Sequence, residues 1–516
     1  MNTSLRSALP LLAIALIWTT EIALVQEYTI QPRFLDYLSW VGKHAVRWGV
    51  ALCSTALILF LAGKRALVAI FVLHLLFSLT LLTYFEYYGF PLSEQVFITQ
   101  ATEGAHFGAF ALTLISPTFA AALFALLFLK LYLLGPAKRM AAGISRKKSV
   151  LAALVGLLLC FAASWKLVPP LDTVASWGEQ TLFAEAYGYL PSWAINAYHF
   201  RDEKTILENA VATSRPIDKT RLSAMEKLPG GARNIAIIQA ESLDFSIIHK
   251  DTEEGLAITP FLRRLSEESM FYAVTPFRRY STAGADFQMI SGLLVDAVRI
   301  PYKIPGYPFS SVRTIARKAA EKGFKTAVLH GNYGYYYSRD KALPQCGFDR
   351  VLFQQDMEKM GIEPEKGYIL DADCFALANT LMDGEKNLHF IITMTTHGPF
   401  NTHPDVCPLP YPYIKPDSIF DWYANSTSYL DYSLQLFIEG LPDDTLVFLY
   451  GDHGSGMKYD GVENGLVPFF IYMKGHNLAP LRTMPEKNAL SGEVEYAEIV
   501  KLIHDYIENG DQSILP

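Results

Sequence analysis

Charge is scarce in this sequence. Asp, Glu, Lys and Arg together make up 18% of its 516 residues, against 51% hydrophobic. With a mean hydropathy of +0.18, the chain is too apolar for an ordinary soluble protein. It is also too charged for a bare membrane bundle, so the apolar part must be segregated. Positive charge is in deficit as well: 44 Lys and Arg face 51 Asp and Glu, a net charge of −7. That excludes the basic face of a nucleic-acid binder. Cysteine is rarer still, with five in all and no C-x-x-C pair, which excludes a zinc knuckle or a dithiol redox motif. Internal repeats and low-complexity segments are absent.

The apolar residues are concentrated before residue 170. A bilayer-crossing helix needs about 20 apolar residues, and about five such runs occur, near 8–26, 46–63, 66–85, 109–134 and 149–169. The first is read as an uncleaved anchor, because its one A-x-A, Ala13 to Ala15, lies inside the apolar run. Lys64 and Arg65 follow the second run, and Lys138, Arg139, Arg146, Lys147 and Lys148 separate the fourth from the fifth. Basic loops stay cytoplasmic, and the loop 86–108 has neither Lys nor Arg. Arg33 and Lys43 in 27–45 weaken this asymmetry without reversing it. The expected topology is an N-terminus inside and everything after about residue 170 outside. The expected divisions are a transmembrane domain over 1–169, a linker with interfacial helices over 170–230, and an extracytoplasmic domain over 231–516. The aromatic stretch Phe183 to Phe200 fits either the headgroup layer or a helix packed on the outer domain.

From about 230, apolar runs of strand length alternate with helical stretches. Asn234–Ala240, Lys325–Leu329, His389–Thr395 and Thr445–Tyr450 read as buried strands, and Ser310–Lys322 as a helix closed by Gly323. Continuously apolar strands separated by helices predict an α/β domain with a mainly parallel central sheet. Each strand is followed by a residue able to carry chemistry: Glu241, His330, His397 and Asp452-His453. Sites in such sheets gather at the carboxyl ends of the strands, so four coincidences at one edge point to a shared site.

The residue types then suggest roles. Glu241, Asp452 and His453 offer oxygen and nitrogen without thiolate, a set suited to Mn²⁺ or Zn²⁺. Thr282 precedes a helical run through Met289 and Leu293. There the helix dipole favours an alkoxide, and the residue reads as a nucleophile or as an ordinary N-cap. Arg339 can clamp phosphate, and His330 can donate to phosphate or protonate a leaving oxygen. The tyrosines of Asn332 to Ser338 either stack on a ligand or pack on their own loop. Cys53 and Cys160 read as small apolar packing residues. Among Cys346, Cys374 and Cys407 an exported domain has room for one disulfide and one free thiol, and the sequence does not decide the pairing. His403 and His476 read as surface residues without partners.

Taken in order, these segments resemble the lipoteichoic acid synthase and phosphoglycerol transferase family, in the sulfatase-like part of the alkaline phosphatase superfamily. The segments are Gln239-Ala240-Glu241-Ser242, Ser281-Thr282 with Asp286-Phe287, His330-Gly331-Asn332 with Ser338-Arg339-Asp340, Thr396-His397-Gly398-Pro399-Phe400, and Gly451-Asp452-His453-Gly454. The resemblance implies five membrane helices, a linker and an external sulfatase-like domain. It implies a divalent ion, Mn²⁺ with Zn²⁺ as the alternative, held by Glu241, Thr282, Asp452 and His453, with His330, Arg339 and His397 around the substrate. It further implies transfer of glycerophosphate from phosphatidylglycerol, by way of Thr282, to a cell-envelope glycan or polyglycerolphosphate acceptor at a bacterial inner membrane. Two positions depart from the family pattern: Asp286 stands where a glutamate is usual, and Tyr337 where lipoteichoic acid synthases carry a tryptophan.

Three other readings compete. A phosphoethanolamine transferase acting on lipid A or a glycan shares the architecture, but such enzymes usually carry a cysteine-containing nucleophile segment, and here Thr282 is followed by Ala-Gly-Ala-Asp. A true sulfatase needs C-x-P-x-R, and Cys346 to Arg350 reads CGFDR. A catalytically inactive glycan-binding accessory protein would keep the fold without the chemistry.

Overall fold

The computed structural model describes residues 3–30, 37–88, 117–140, 145–163, 187–199, 228–276, 282–294, 306–365, 367–382, 386–398, 418–456, 465–481 and 494–509. Short pieces between them are also described, at 92, 207–208, 210–212, 214–217, 302, 304 and 400. The chain divides into two compact units, Met1–Thr205 and Ile206–Pro516.

The first unit is helical: α1 (Thr3–Ile30), α2 (Tyr37–Leu61), α3 (Lys64–Tyr88), α4 (Pro117–Met140), α5 (Arg146–Ala163) and α6 (Tyr189–His199). Four of these are long and apolar enough to cross a membrane, over Leu9–Thr29, Val41–Leu61, Lys64–Phe85 and Pro117–Arg139. About five were expected. The fifth run corresponds to α5, which opens on Arg146, Lys147 and Lys148. Its described apolar stretch is therefore shorter than the roughly 20 residues a bilayer asks for. The remainder of that run, 164–169, and the start of the fourth, 109–116, lie outside the described residues.

Small residues let α2 and α5 approach closely. A Cβ on Gly49 would stand 2.7 Å from Cys160 Sγ, and one on Gly156 would stand 2.6 Å from Cys53 Sγ. Both cysteines are therefore packing residues, and glycine opposite each is a steric requirement. One charged cluster is buried among α1, α3 and α4. Glu21 is paired with Lys130, with His74 Nδ1 3.2 Å from Glu21 Oε1.

The second unit is built on an eight-stranded sheet. Its strands are numbered with β1 (Arg215–Pro216) and β4 (Leu293–Leu294), which form a separate two-stranded ladder: β2 (Asn234–Ala240), β3 (Met270–Thr275), β5 (Lys325–His330), β6 (Arg350–Phe353), β7 (Asn387–Ile392), β8 (Thr445–Gly451), β9 (Val467–Met473) and β10 (Val494–Glu495). The order is β10-β3-β9-β8-β2-β7-β5-β6. Pairing is parallel from β8 through β6 and antiparallel on both sides of β9. Helices α7 (Pro260–Glu268), α8 (Thr282–Ser291), α9 (Ile315–Glu321), α10 (Arg339–Ala342), α11 (Gln354–Lys359), α12 (Asp371–Leu381), α13 (Ile419–Gly440) and α14 (Tyr496–Asn509) accompany it. Every residue of β2, β7, β8 and β9 is buried, as expected of strands covered on both faces.

Two elements differ from their expected bounds by more than one residue. The third expected strand ends at Ile392 rather than Thr395, because the Asp371 carboxylate accepts from Met394 N (2.7 Å) and Thr395 N (3.0 Å) and draws the chain out of the ladder. The expected helix from Ser310 begins at Ile315, where the Thr314 hydroxyl accepts from Arg317 N and caps it; Gly323 follows its end at φ 81°. The compact unit begins at Ile206, and Arg215 and Pro216 pair with Leu294 and Leu293, so part of the segment 170–230 is folded into it.

Candidate metal and phosphoryl-transfer site

Strand β2 runs in the middle of the sheet between β8 and β7, and its carboxyl end delivers Glu241. The turn there is tight. Ser242 adopts φ 51°, a left-handed conformation that costs a non-glycine residue about 1–3 kcal/mol. The turn is held by three bonds. Glu241 N donates to Thr393 Oγ1 (2.9 Å), Ser242 N to Asp452 Oδ1 (3.0 Å), and Ser242 Oγ to Glu241 Oε1 (2.8 Å). On β8, next in the sheet, Gly451 passes so close to Leu243 O that a Cβ would stand 2.6 Å from it. Glycine is thus required immediately before the Asp452-His453 turn.

Thr282 begins α8. Its hydroxyl donates to Glu241 Oε2 at 2.8 Å and lies 3.3 Å from His453 Nε2. His453 Nε2 is 3.2 Å from Glu241 Oε1 and 3.6 Å from Asp452 Oδ2. Donor atoms of Glu241, Asp452 and His453 all lie within 4.8 Å of one another, and all three residues are buried. Asp452 Oδ1 accepts from Ser242 N and His453 N, whereas its buried Oδ2 has no hydrogen-bond partner among the described residues.

The electrostatics are those of a site built around positive charge. Burial and the nearby Glu241 carboxylate push Asp452 up to about 7. His453 resists burial because Asp452 and Glu241 flank it, and is raised to about 10. Glu241, despite burial, is lowered below the usual carboxylate range by His453. The imidazole thus supplies the charge that two buried carboxylates demand. The orphaned Asp452 Oδ2, the convergence of two carboxylates, an imidazole and a hydroxyl, and the lack of thiolate fit a divalent cation.

The other expected residues lie at the same sheet edge. His330 ends β5 and is buried. Its Nδ1 donates to Ile392 O at 3.1 Å, leaving Nε2 as the face toward other groups. Burial and then the Arg339 charge hold it neutral, down to about 3. Arg339, 2% exposed, opens α10 and turns to Asp286 on α8, with Nε 2.8 Å and Nη2 2.7 Å from Asp286 Oδ2. His397 follows β7, with Nδ1 2.7 Å from Gly398 O, and its charge bears on both Glu241 and His330. The structure therefore brings Glu241, Thr282, Asp452 and His453 into direct contact. His330, Arg339 and His397 are set around them.

Two contributors were given no role from the sequence. Gln239, the last inward polar residue of β2, donates to Thr282 O (3.1 Å) and accepts from Tyr450 OH (2.8 Å), fixing the start of α8. Asp244 accepts from Ser455 N and Oγ and secures the turn after His453. A polar residue inside a fully apolar strand was the available signal for Gln239; Asp244 had none.

The tyrosine loop packs on itself: Tyr333 stacks on Tyr335 at 5.4 Å, and Tyr335 lies tilted against Tyr336 at 4.5 Å. Cys346 and Cys374 are free buried thiols, and no disulfide forms among the described residues. Burial pushes the Cys346 thiol up to about 12. Both lie within the folded core, where each fills apolar space; Cys407 lies outside the described residues. His476 is exposed as expected, yet it has a partner, Asp444 Oδ1 at 2.9 Å. His403 lies outside the described residues.

The sulfatase family profile matches residues 233–499. The lipoteichoic acid synthase of Staphylococcus saprophyticus is 27% identical over 239 residues, 43% of this chain and 36% of that protein. Lipoteichoic acid synthase 2 of Bacillus subtilis is 24% identical over 467 residues, 79% of this chain and 68% of that protein. Among solved structures, the phosphoglycerol transferase GacH of Streptococcus pyogenes, in complex with sn-glycerol-1-phosphate, superposes with a TM-score of 0.42 at 16% identity, covering 60% of this chain and 80% of that one. The alignment with the S. saprophyticus enzyme thus spans about a third of its length. With just over half of its residues matched, the chain belongs to the sulfatase family.

Proposed function

We propose that the protein is a membrane-anchored, divalent-metal-dependent phosphotransferase that moves glycerophosphate from phosphatidylglycerol to a hydroxyl of an envelope glycan or polyglycerolphosphate chain. The observation that carries this reading is the placement of the Thr282 hydroxyl. It sits at the positive end of α8, 2.8 Å from Glu241 Oε2 and 3.3 Å from His453 Nε2. Glu241, Asp452, His453 and the Thr282 hydroxyl would hold the ion, Mn²⁺ or alternatively Zn²⁺. Bound there, it would supply Lewis acidity at the phosphoryl oxygen and lower the pKa of the hydroxyl.

The chain's own residues account for the rest. Thr282 Oγ1 loses its proton toward Glu241 Oε2, which already accepts its hydrogen bond, and attacks phosphorus. The bond from phosphorus to the diacylglycerol oxygen breaks, and that oxygen takes a proton from His397. Arg339 neutralises phosphate oxygens, and His330, held neutral, accepts a hydroxyl hydrogen bond through Nε2. In the second half, the acceptor hydroxyl gives its proton back to His397 and displaces Thr282 from phosphorus, and Thr282 recovers its own.

The Lys and Arg distribution supports a multi-pass protein of the bacterial inner membrane, with its N-terminus cytoplasmic and the domain 231–516 outside, joined by 170–230 to the membrane domain 1–169.

The test is release of diacylglycerol by the detergent-purified chain with Mn²⁺, offered fluorescent phosphatidylglycerol or phosphatidylethanolamine, beside Thr282→Ala. Release from phosphatidylglycerol alone, abolished by Thr282→Ala, is expected. Release from phosphatidylethanolamine alone would transfer the protein to the phosphoethanolamine transferases. No release together with no bound metal would leave the glycan-binding accessory role.

A further inference from the structure

Arg339 is held in an unusual way. It follows two consecutive non-glycine residues in the left-handed region, Tyr337 at φ 58° and Ser338 at φ 59°. Each such residue is disfavoured, and strain of this kind persists only where surrounding contacts impose it. Here it turns the chain so that a guanidinium enters the interior. Arg339 is 2% exposed and Asp286 0%, so neither charge is relieved by solvent. Nε and Nη2 both converge on Asp286 Oδ2, and the guanidinium lies over the Tyr337 ring at 5.1 Å. Its Nη1 makes no hydrogen bond among the described residues. The charge is near enough to His330 to depress that residue.

The partner carboxylate is not on a random element. Asp286 lies four residues after Thr282 on α8, one helical turn along the same face. Helix α8 therefore carries both the nucleophile and the group that orients the cation opposite it. Tyr496 OH donates to Ala285 O at 2.8 Å, and Phe287 packs on Tyr302 at 5.6 Å, so the helix is fixed on both sides of Asp286. Nε is hydrogen-bonded to Asp286 Oδ2 and Nη2 lies at ion-pair distance from the same oxygen without a hydrogen bond, so the guanidinium is held on that side and its Nη1 edge is the part available to a third group.

We infer that Asp286 is a positioning residue: by gripping Nε and Nη2 of Arg339 it aims the Nη1 edge at an oxygen of the phosphoryl group carried at Thr282, and keeps the distance from nucleophile to guanidinium constant through α8. The inference rests on the phosphoryl-transfer reading of the site. It requires only that a phosphate monoester or diester occupy the space between Thr282 and Arg339.

The test is a double-mutant cycle on binding, which needs no turnover. The full chain in detergent with Mn²⁺ is titrated calorimetrically with sn-glycerol 1-phosphate, as wild type, Asp286→Asn, Arg339→Ala and the pair. Asp286→Asn should weaken binding about tenfold, and Arg339→Ala by more. The pair should bind like Arg339→Ala alone, because Asp286 acts only through the arginine. A residue that merely supported the fold would keep its effect in the Arg339→Ala background, and that additivity would overturn the inference. So would an unchanged affinity in Asp286→Asn, or no binding by wild type. If Asp286→Asn fails to fold, Asp286→Glu keeps the charge and shifts the guanidinium by one methylene. It should then raise KM for the lipid donor while leaving the unfolding midpoint in place; unchanged KM would count equally against the inference. Absent lipid turnover with intact coupling in the binding cycle would overturn the proposed donor and leave the role of Asp286 standing.

Discussion

Ser242 donates its hydroxyl to Oε1 of Glu241 at 2.8 Å while its own backbone sits at φ 51°. The strained residue and the ligand are neighbours in sequence, and the strain has a product: it turns Ser242 N onto Asp452 Oδ1 at 3.0 Å. One residue thereby orients the two carboxylates that converge on the candidate metal position.

Removing that hydroxyl separates the orienting role from the ligands themselves. Partners that hold a ligand by hydrogen bonds typically contribute 10–100-fold to metal affinity. Ser242→Ala should therefore weaken Mn²⁺ binding about tenfold while leaving Glu241, Asp452 and His453 in place. Calorimetric titration of the metal-stripped full chain measures it. Unchanged affinity would show that Glu241 is oriented by Thr282 and His453 alone.

The second prediction concerns acid stability. His504 on α14 is 4% exposed, donates Nε2 to Met289 O at 2.7 Å, and faces Lys318, Lys501 and Glu508. Burial, with Lys318 adding to it, lowers its pKa from 6.5 to about 3. In the folded state it stays neutral, whereas the unfolded chain binds a proton below about 6.5. Its contribution to stability is thus full above pH 6.5 and is lost as pH falls toward 3, at about 1.4 kcal/mol per unit. Buried Asp286 and Asp371, each raised to about 6, and Asp431, raised to about 7, work in the opposite direction. The net slope of wild type therefore mixes both signs, and the difference between two proteins isolates the histidine. His504→Gln should be less stable than wild type at pH 7.5 and lose less on going to pH 5, read as thermal midpoints in detergent. Parallel curves would remove His504 from the account.

The sequence declared those parts of the molecule where one requirement dominates. Strands buried on both faces must be continuously apolar, so Asn234–Ala240 and Thr445–Tyr450 were recognisable with bounds within a residue of those observed. The residues at their carboxyl ends followed from topology, which is why Glu241, Asp452 and His453 could be grouped before any geometry was known. What stayed hidden depends on side chains meeting across long separations. Nothing in the local pattern says that the Asp371 carboxylate ends β7, that Gln239 holds the start of α8, or that Arg339 faces Asp286. The state of the thiols stayed open for a related reason: a thiol count says nothing of burial, and Cys346 and Cys374 each sit at 2% exposure or less. The fifth apolar run, read over 149–169, is helical as far as it is described, within α5 (Arg146–Ala163).

The last prediction turns on the charges inside the helical unit. Glu21 of α1 is 1% exposed and Lys130 of α4 is 0% exposed; the two are paired, and His74 of α3 adds Nδ1 at 3.2 Å. The Lys130 ammonium also lies over the Phe71 ring at 5.3 Å. Within a span, ionisable residues occur where they are paired or functional, and here each compensates the other. Removing one partner leaves the other charge buried without compensation, at a cost of about 3–5 kcal/mol. Replacing both by apolar residues of similar volume removes two desolvation penalties together, and is neutral or stabilising by about 1–4 kcal/mol. Glu21→Leu should therefore lower the unfolding midpoint of the detergent-solubilised protein sharply, and Glu21→Leu with Lys130→Met should restore it. If the double variant proved less stable than Glu21→Leu, the pair would have to stabilise the bundle by more than mutual compensation, and the three-helix contact around His74 would carry the difference.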